Sequence, residues 1–126
     1  MFFRRRHKKI LIVDDNQDLL TLLGKILESA NYDVFSTACG REAVDLARAV
    51  KPDAIILDII IPDLGGDEIE RVLKVDSSTR DIPIIYMTAL ASRYDEDVSR
   101  ASPGRRRLLA KPVSRQRLLD AIGSVV

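Results

Sequence analysis

Five polar side chains stand at matching places along the chain. Asp14 and Asp15 close the apolar run ILIV, Asp58 closes AIIL, Thr88 closes IIYM, and Lys111 follows LLA. An ionised carboxylate taken from water without partners is costly, so an Asp at the end of such a run must be neutralised or surrounded by cations and donors. If the three carboxylates share one crevice they repel one another strongly enough to require protonation or a divalent cation. Hard oxygen ligands suit Mg²⁺, which keeps several waters and is typically held by one or two carboxylates together with phosphate oxygens. A phosphoryl group would complete that shell. Asp is a nucleophile in aspartyl-phosphate chemistry, so Asp58 is the candidate acceptor. Lys111 then supplies a point charge and the Thr88 hydroxyl a donor to a phosphoryl oxygen.

The elements that must position these residues follow from periodicity. Ile10 to Val13 is a short β-branched strand, and Gln17 to Ala30 carries Leu19, Leu23, Ile26, Leu27 and Ala30 at helical spacing. Asp33 to Ala38 reads as a second strand, and Arg41 to Val50 as a helix with Ala43, Ala47 and Val50 on one face. Ala54 to Asp58 is a third strand, Glu68 to Val75 a helix with Ile69, Val72 and Leu73 inward, and Pro83 to Thr88 a fourth strand. A weaker helix is predicted from Tyr94 to Ala101, stopped by Pro103 and Gly104. Leu108 to Ala110 is a fifth strand, and Ser114 caps a last helix with Leu118, Ile122 and Val125 inward. Five strands alternating with helices predict an α/β, doubly wound parallel sheet covered on both faces. Ligands of such sheets sit at the carboxyl ends of the strands, where all five polar residues fall.

Composition narrows the field. A chain of 126 residues that is 46% hydrophobic is one domain's worth with enough apolar material for a core. Lys and Arg number 20 against 19 Asp and Glu, a net charge of +1, so no global field draws it to nucleic acid or membrane. The single Cys39 excludes an internal disulfide. No apolar run approaches the roughly 20 residues of a membrane span. The start, MFFRRRHKK, is basic, but the apolar ILIV after it is too short for a signal peptide, so a mature N-terminus and a cytoplasmic location are expected.

With these residues in view, the chain resembles the receiver domain of two-component response regulators, from about Lys9 to Val126, with residues 1–8 left as a basic arm. The matches are ILIVDDN with Asp14 and Asp15, LDIIIPDLGG with Asp58, Pro62 and Gly66, IIYMTA with Thr88 and Ala89, and AKPV with Lys111 and Pro112. The resemblance implies a five-stranded parallel sheet in the flavodoxin-like order 2-1-3-4-5. It implies phosphorylation of Asp58 by a histidine kinase or histidine phosphotransfer protein. It also implies Mg²⁺ held by Asp15, Asp58 and the Ile60 backbone carbonyl, with Asp14 acting through water, and a cis bond between Lys111 and Pro112. Signalling would pass to an output protein through protein contacts, from a monomer or weak dimer. Such a module is not an enzyme beyond its own phosphorylation and dephosphorylation, and it contacts neither nucleic acid nor membrane.

The chain departs from the family's pattern in three ways. Leu108 stands three residues before Lys111, where the family usually has Tyr or Phe, so an aromatic rotamer switch cannot operate there. Gly104, Arg105, Arg106 and Arg107 form an unusual basic approach to the last strand, and with no output domain read after Val126 the chain is expected to be either a stand-alone receiver or a piece of a larger protein. Other readings compete residue by residue. Asp14 and Asp15 alone could cap the first helix. Thr88 alone is an ordinary strand end, Lys111 alone a solvated lysine, and Arg4 to Lys9, with His7, a solvated arm. Arg105 to Arg107 are a solvated turn or a docking patch, and Cys39 has no assigned role. A haloacid dehalogenase-like phosphatase also uses an Asp and Mg²⁺, but it needs D-x-D after the first strand, which Asp14, Asp15 and Asn16 do not supply. A phosphorylation-independent scaffold is disfavoured because Asp15, Asp58, Thr88 and Lys111 are all present.

Two apolar positions carry a kinetic expectation. Ile60 lies two residues beyond Asp58 and Leu90 two beyond Thr88, positions that in the family border the path of attacking water. Apolar side chains there cannot orient water for in-line displacement, so a phosphoryl group on Asp58 should be long-lived. The double variant Ile60→Asn, Leu90→Glu is expected to lose its phosphoryl group faster than the wild type after donor removal; equal decay would show that the rim does not set the lifetime.

Overall fold

The computed structural model describes residues 7–59, 61, 64–89 and 107–126. The elements run β1 (Lys9–Val13), α1 (Gln17–Ser29), β2 (Asp33–Thr37), α2 (Gly40–Val50), β3 (Ala54–Asp58), α3 (Gly66–Val75), β4 (Ile84–Thr88), β5 (Arg107–Ala110) and α4 (Arg115–Gly123). The five strands form one sheet in the order β2-β1-β3-β4-β5, with every pairing parallel. The helix expected from Tyr94 to Ala101 lies outside the described residues.

Alternation along the strands divides the core into two layers. Leu11, Val13, Ile55, Leu57, Ile84 and Tyr86 pack with Ala43, Val44 and Ala47 of α2 and Ile69 and Leu73 of α3. Ile10, Ile12, Ala54, Ile56, Ile85, Met87 and Leu109 pack with Leu20, Leu23 and Leu27 of α1 and Leu118 and Ile122 of α4. Buried on both faces, the inner strands read as continuous apolar runs, as a covered parallel sheet requires.

The buried stripes are rotated slightly from the expected ones. Helix α1 buries Leu20, Leu23, Gly24 and Leu27, while Leu19 and Ile26 lie at its edge. At Gly24 the helix passes β2, where an added Cβ would lie 3.8 Å from Val34 Cγ1, an ordinary van der Waals contact. In α2 the buried residues are Gly40, Ala43, Val44 and Ala47, and Val50 is partly buried at the helix end. Both helix starts that carry capping side chains use them: Asn16 Oδ1 accepts from Leu19 N at 3.1 Å, and Ser114 Oγ accepts from Arg117 N at 3.2 Å. The chain leaves α2 through Lys51 at φ 53° and turns into β2 through Asn31 at φ 70°.

Two glycines in helices should respond oppositely to alanine. A Cβ at Gly40 would lie 2.8 Å from the Leu64 carbonyl oxygen and 2.9 Å from Leu64 Cβ, whereas at Gly24 it meets ordinary van der Waals contact. Denaturant unfolding should therefore show Gly40→Ala destabilised by about 1–3 kcal/mol through overpacking, and Gly24→Ala stabilised by about 0.5–1 kcal/mol.

Candidate functional site

Because all five strands run the same way, their carboxyl ends open on one edge of the sheet. Asp14 follows β1 and is tied to β2 by its backbone N–H, which donates to the Thr37 carbonyl at 3.2 Å. Asp58 is the last residue of β3, paired in register with Met87, and Thr88 ends β4 one residue further on. Lys111 directly follows β5, and its backbone N–H donates to the Thr88 carbonyl at 3.0 Å. The bond between Lys111 and Pro112 is cis, as the resemblance implies.

Asp14, Asp15 and Asp58 each present a carboxylate oxygen within 4.8 Å of the others, with Asp14 and Asp58 buried and Asp15 exposed. The Lys111 ammonium lies 2.7 Å from Asp14 Oδ2 and 3.0 Å from Asp58 Oδ2. The contact with Asp58 is an aligned hydrogen bond. The contact with Asp14 is a close ion pair without that alignment, so Asp14 Oδ2 is a buried oxygen that accepts no hydrogen bond among the described residues. Asp14 Oδ1 is used, accepting from Asn16 N at 2.9 Å.

The electrostatics leave a definite residue of charge. Three carboxylates against one ammonium leave two negative charges when all are ionised. At 4.8 Å, a pair of like charges costs roughly 3 kcal/mol at an effective dielectric of about 20. A divalent cation is the smallest species that cancels both charges. The hard oxygen donors, the exposed Asp15 that keeps one side open to water, and the buried Asp14 Oδ2, ion-paired with Lys111 but accepting no hydrogen bond among the described residues, all fit an Mg²⁺ site. Burial alone would lower the Lys111 pKa, but the contacts with Asp14 and Asp58 outweigh it and hold the ammonium above its ordinary value of 10.5.

Of the residues expected at the site, the structure brings carboxylate oxygens of Asp14, Asp15 and Asp58 within 4.8 Å of one another, pairs Lys111 with Asp14 and Asp58, and ends β4 with Thr88, buried, on the neighbouring strand. Ile60, Pro62, Leu90, Arg105 and Arg106 lie outside the described residues. Leu108 is half-buried and paired in register with Tyr86. His7 sits at the opposite end of the sheet, with Nδ1 3.4 Å from Asp33 Oδ1, and Cys39 is the residue before α2. Sequence reasoning passed over Tyr86, whose buried ring sends its hydroxyl to donate to the Glu70 carboxylate on α3. Its signal was a lone hydroxyl in the otherwise apolar run IIYM.

A doubly wound α/β sheet that gathers carboxylates and a lysine at its strand ends defines a class of small phosphate- and cation-handling domains. Comparison with known proteins makes this particular. Residues 10–123 match the model of the response regulator receiver domain. The polar-differentiation response regulator DivK of Brucella anthropi is 38% identical over 117 residues, covering 93% of this chain and 94% of that protein. Chemotaxis protein CheY4 of Vibrio cholerae superposes with a TM-score of 0.85 at 29% identity, covering 96% of this chain and all of that one (100%). The receiver domain of the sensor histidine kinase PA1611 from Pseudomonas aeruginosa, solved with a magnesium ion coordinated in its active-site cleft, superposes with a TM-score of 0.83 at 32% identity, covering 95% and 98%. The chain belongs to the response regulator receiver family and is a receiver domain of two-component signalling. No helix among the described residues is long and apolar enough to cross a membrane.

The raised Lys111 pKa has a pH signature. A group whose pKa is higher in the folded state contributes stability that is fully present below its unfolded pKa, near 10.5, and is lost as pH rises through the folded value. Thermal unfolding in metal-free buffer should therefore weaken more steeply above about pH 10 for the wild type than for Lys111→Met. Parallel curves for the two proteins would show that the ammonium is not held by the carboxylates.

Proposed function

We propose that this receiver accepts a phosphoryl group on Asp58 from a histidine kinase or a histidine phosphotransfer protein, in an Mg²⁺-dependent reaction. The single observation that carries this reading is the Lys111 ammonium seated between the carboxylates of Asp14 and Asp58, with Asp15 alongside. One oxygen of Asp58 forms the new bond to phosphorus as the bond from phosphorus to the donor imidazole breaks, and the freed imidazole leaves with the electron pair. Lys111 balances charge on the transferred group, and the Thr88 hydroxyl donates to one of its oxygens. Asp14, Asp15, Asp58 and the Ile60 carbonyl would hold the ion, Asp14 through water; when bound, it neutralises the carboxylates and polarises the phosphoryl oxygens. The burial of Asp14 and Asp58, where only a compensated charge is stable, and the exposure of Asp15 support their part in this reading.

The magnesium ion seen in the PA1611 receiver supports the same choice of ion for this donor set. The receiver unit is taken as residues 9–126 with a basic arm at 1–8, working in the cytoplasm as a monomer or weak dimer. It acts on an output protein by contact rather than by catalysis on a separate substrate, and without contacts to nucleic acid or membrane. No finding favours a phosphatase of the haloacid dehalogenase kind.

Incubation with acetyl phosphate and Mg²⁺ should add the mass of one phosphoryl group to the wild type and none to Asp58→Asn. Chelating the metal should abolish labelling, and Lys111→Met should label far more slowly. Equal labelling of Asp58→Asn would move the acceptor elsewhere.

A further inference from the structure

We propose that Tyr86 couples the state of the crevice to α3 through its hydrogen bond to Glu70, doing from β4 what no aromatic side chain on β5 can do here. The inference rests on the phosphoacceptor reading above. Tyr86 stands two residues before Thr88 on β4, so the alternation of the strand sends both side chains to the same side. Its ring is buried, at 3% exposure, in the layer packed under α2 and α3. Its hydroxyl donates to the carboxylate of Glu70, in the middle of α3. Leu108, the β5 residue facing Tyr86 in register, packs against that same layer, so the aromatic ring on this side of the sheet is one strand nearer to the acceptor.

Helix α3 is thereby attached at two points to strands that meet in the crevice. At its start, Gly66 N donates to the Ile59 carbonyl at 3.0 Å, immediately after Asp58, and a Cβ at Gly66 would come within 3.0 Å of Ile59 Cα. At its middle, Glu70 is held by Tyr86. A phosphoryl group on Asp58 that draws the Thr88 hydroxyl shifts the end of β4 relative to the end of β3. With the helix start fixed to one strand and its middle to the other, that shift tilts α3. A hydroxyl's bond to a carboxylate is among the stronger kinds, so the tie follows the strand instead of parting from it. Close packing passes the displacement on. Tyr86 is a positioning residue in this scheme and touches no reacting atom.

The test compares amide spectra with and without Mg²⁺ and beryllium fluoride as a phosphoryl mimic. In the wild type, the amides of Asp14, Asp58 and Lys111 should shift together with those of α3. In Tyr86→Phe, the crevice amides should shift as before and the α3 shifts should fall to less than half. Glu70→Leu should behave like Tyr86→Phe, whereas Glu70→Gln, which keeps an acceptor, should retain the α3 response. Glu70 is only half-buried, so its variants keep the test available if Tyr86→Phe folds poorly. Full crevice shifts with an α3 response unchanged by both Tyr86→Phe and Glu70→Leu would overturn the coupling alone. Absence of crevice shifts in the wild type would overturn the phosphoacceptor reading and the coupling with it.

Discussion

Two carboxylates at the mouth of an apolar sheet, held there by one ammonium, are the constraint on which the rest of this molecule turns. Asp14 is fully buried and Asp58 is 5% exposed, positions in which an uncompensated charge would cost several kcal/mol. Lys111 makes them tolerable, and it reaches them only because β5 lies in the same sheet, parallel to β1 and β3, and ends at the same edge. The order of the strands is thus part of the electrostatics. Placing β1 and β3 side by side brings the two carboxylates together, and β4 and β5 beyond them set Thr88 and then Lys111 on the other side of Asp58.

That compensation is incomplete, and the incompleteness is what makes the site useful. A lysine alone leaves two negative charges and a buried Asp14 oxygen without an aligned donor. On the proposed reading, the resting crevice would take up a cation, and with a cation present the balance would favour a further anion. Phosphorylation of Asp58, as proposed, would add one, replacing a carboxylate by a group of about −1.5 to −2 charge with three acceptor oxygens. A site satisfied by lysine alone would have no reason to bind either. Asp76, by contrast, is a fully satisfied carboxylate. Hydrogen bonds from the Ser78 backbone and hydroxyl, then from Arg48 of α2 at 2.7 Å, lower its pKa to about 2 and fix the turn after α3.

Much of this was legible in the sequence, for identifiable reasons. A covered parallel sheet announces itself by short apolar runs, and the residues that break those runs at their ends are the residues of the crevice. Hence Asp14, Asp15, Asp58, Thr88 and Lys111 stand out before any coordinates exist. Helix faces were less legible, because an apolar stripe on a helix is wider than the part that packs. Leu19 and Leu20 are indistinguishable by type, and only the packing separates them: Leu20 is buried and Leu19 lies at the edge of the layer. The pairing of Tyr86 with Glu70 was not legible at all. It depends on two side chains 16 residues apart on different elements, and nothing in the spacing of either points to the other.

The two packing layers also differ in which part of the site they own. Continuing the alternation of each strand, Asp14 and Asp58 fall in phase with Ile12 and Ile56, and Lys111 with Leu109, all on the side covered by α1 and α4. Thr88 falls in phase with Ile84 and Tyr86, on the side covered by α2 and α3. The charged members of the crevice thus extend one layer and the hydroxyl member extends the other. In the resting protein the sheet separates these layers along its whole length. On the proposed reading, a phosphoryl group on Asp58 that accepted from Thr88 would bridge them at the carboxyl edge of the sheet. A local bond at the crevice would then act on the layer that does not contain the acceptor, through the strand, β4, that carries both Thr88 and Tyr86.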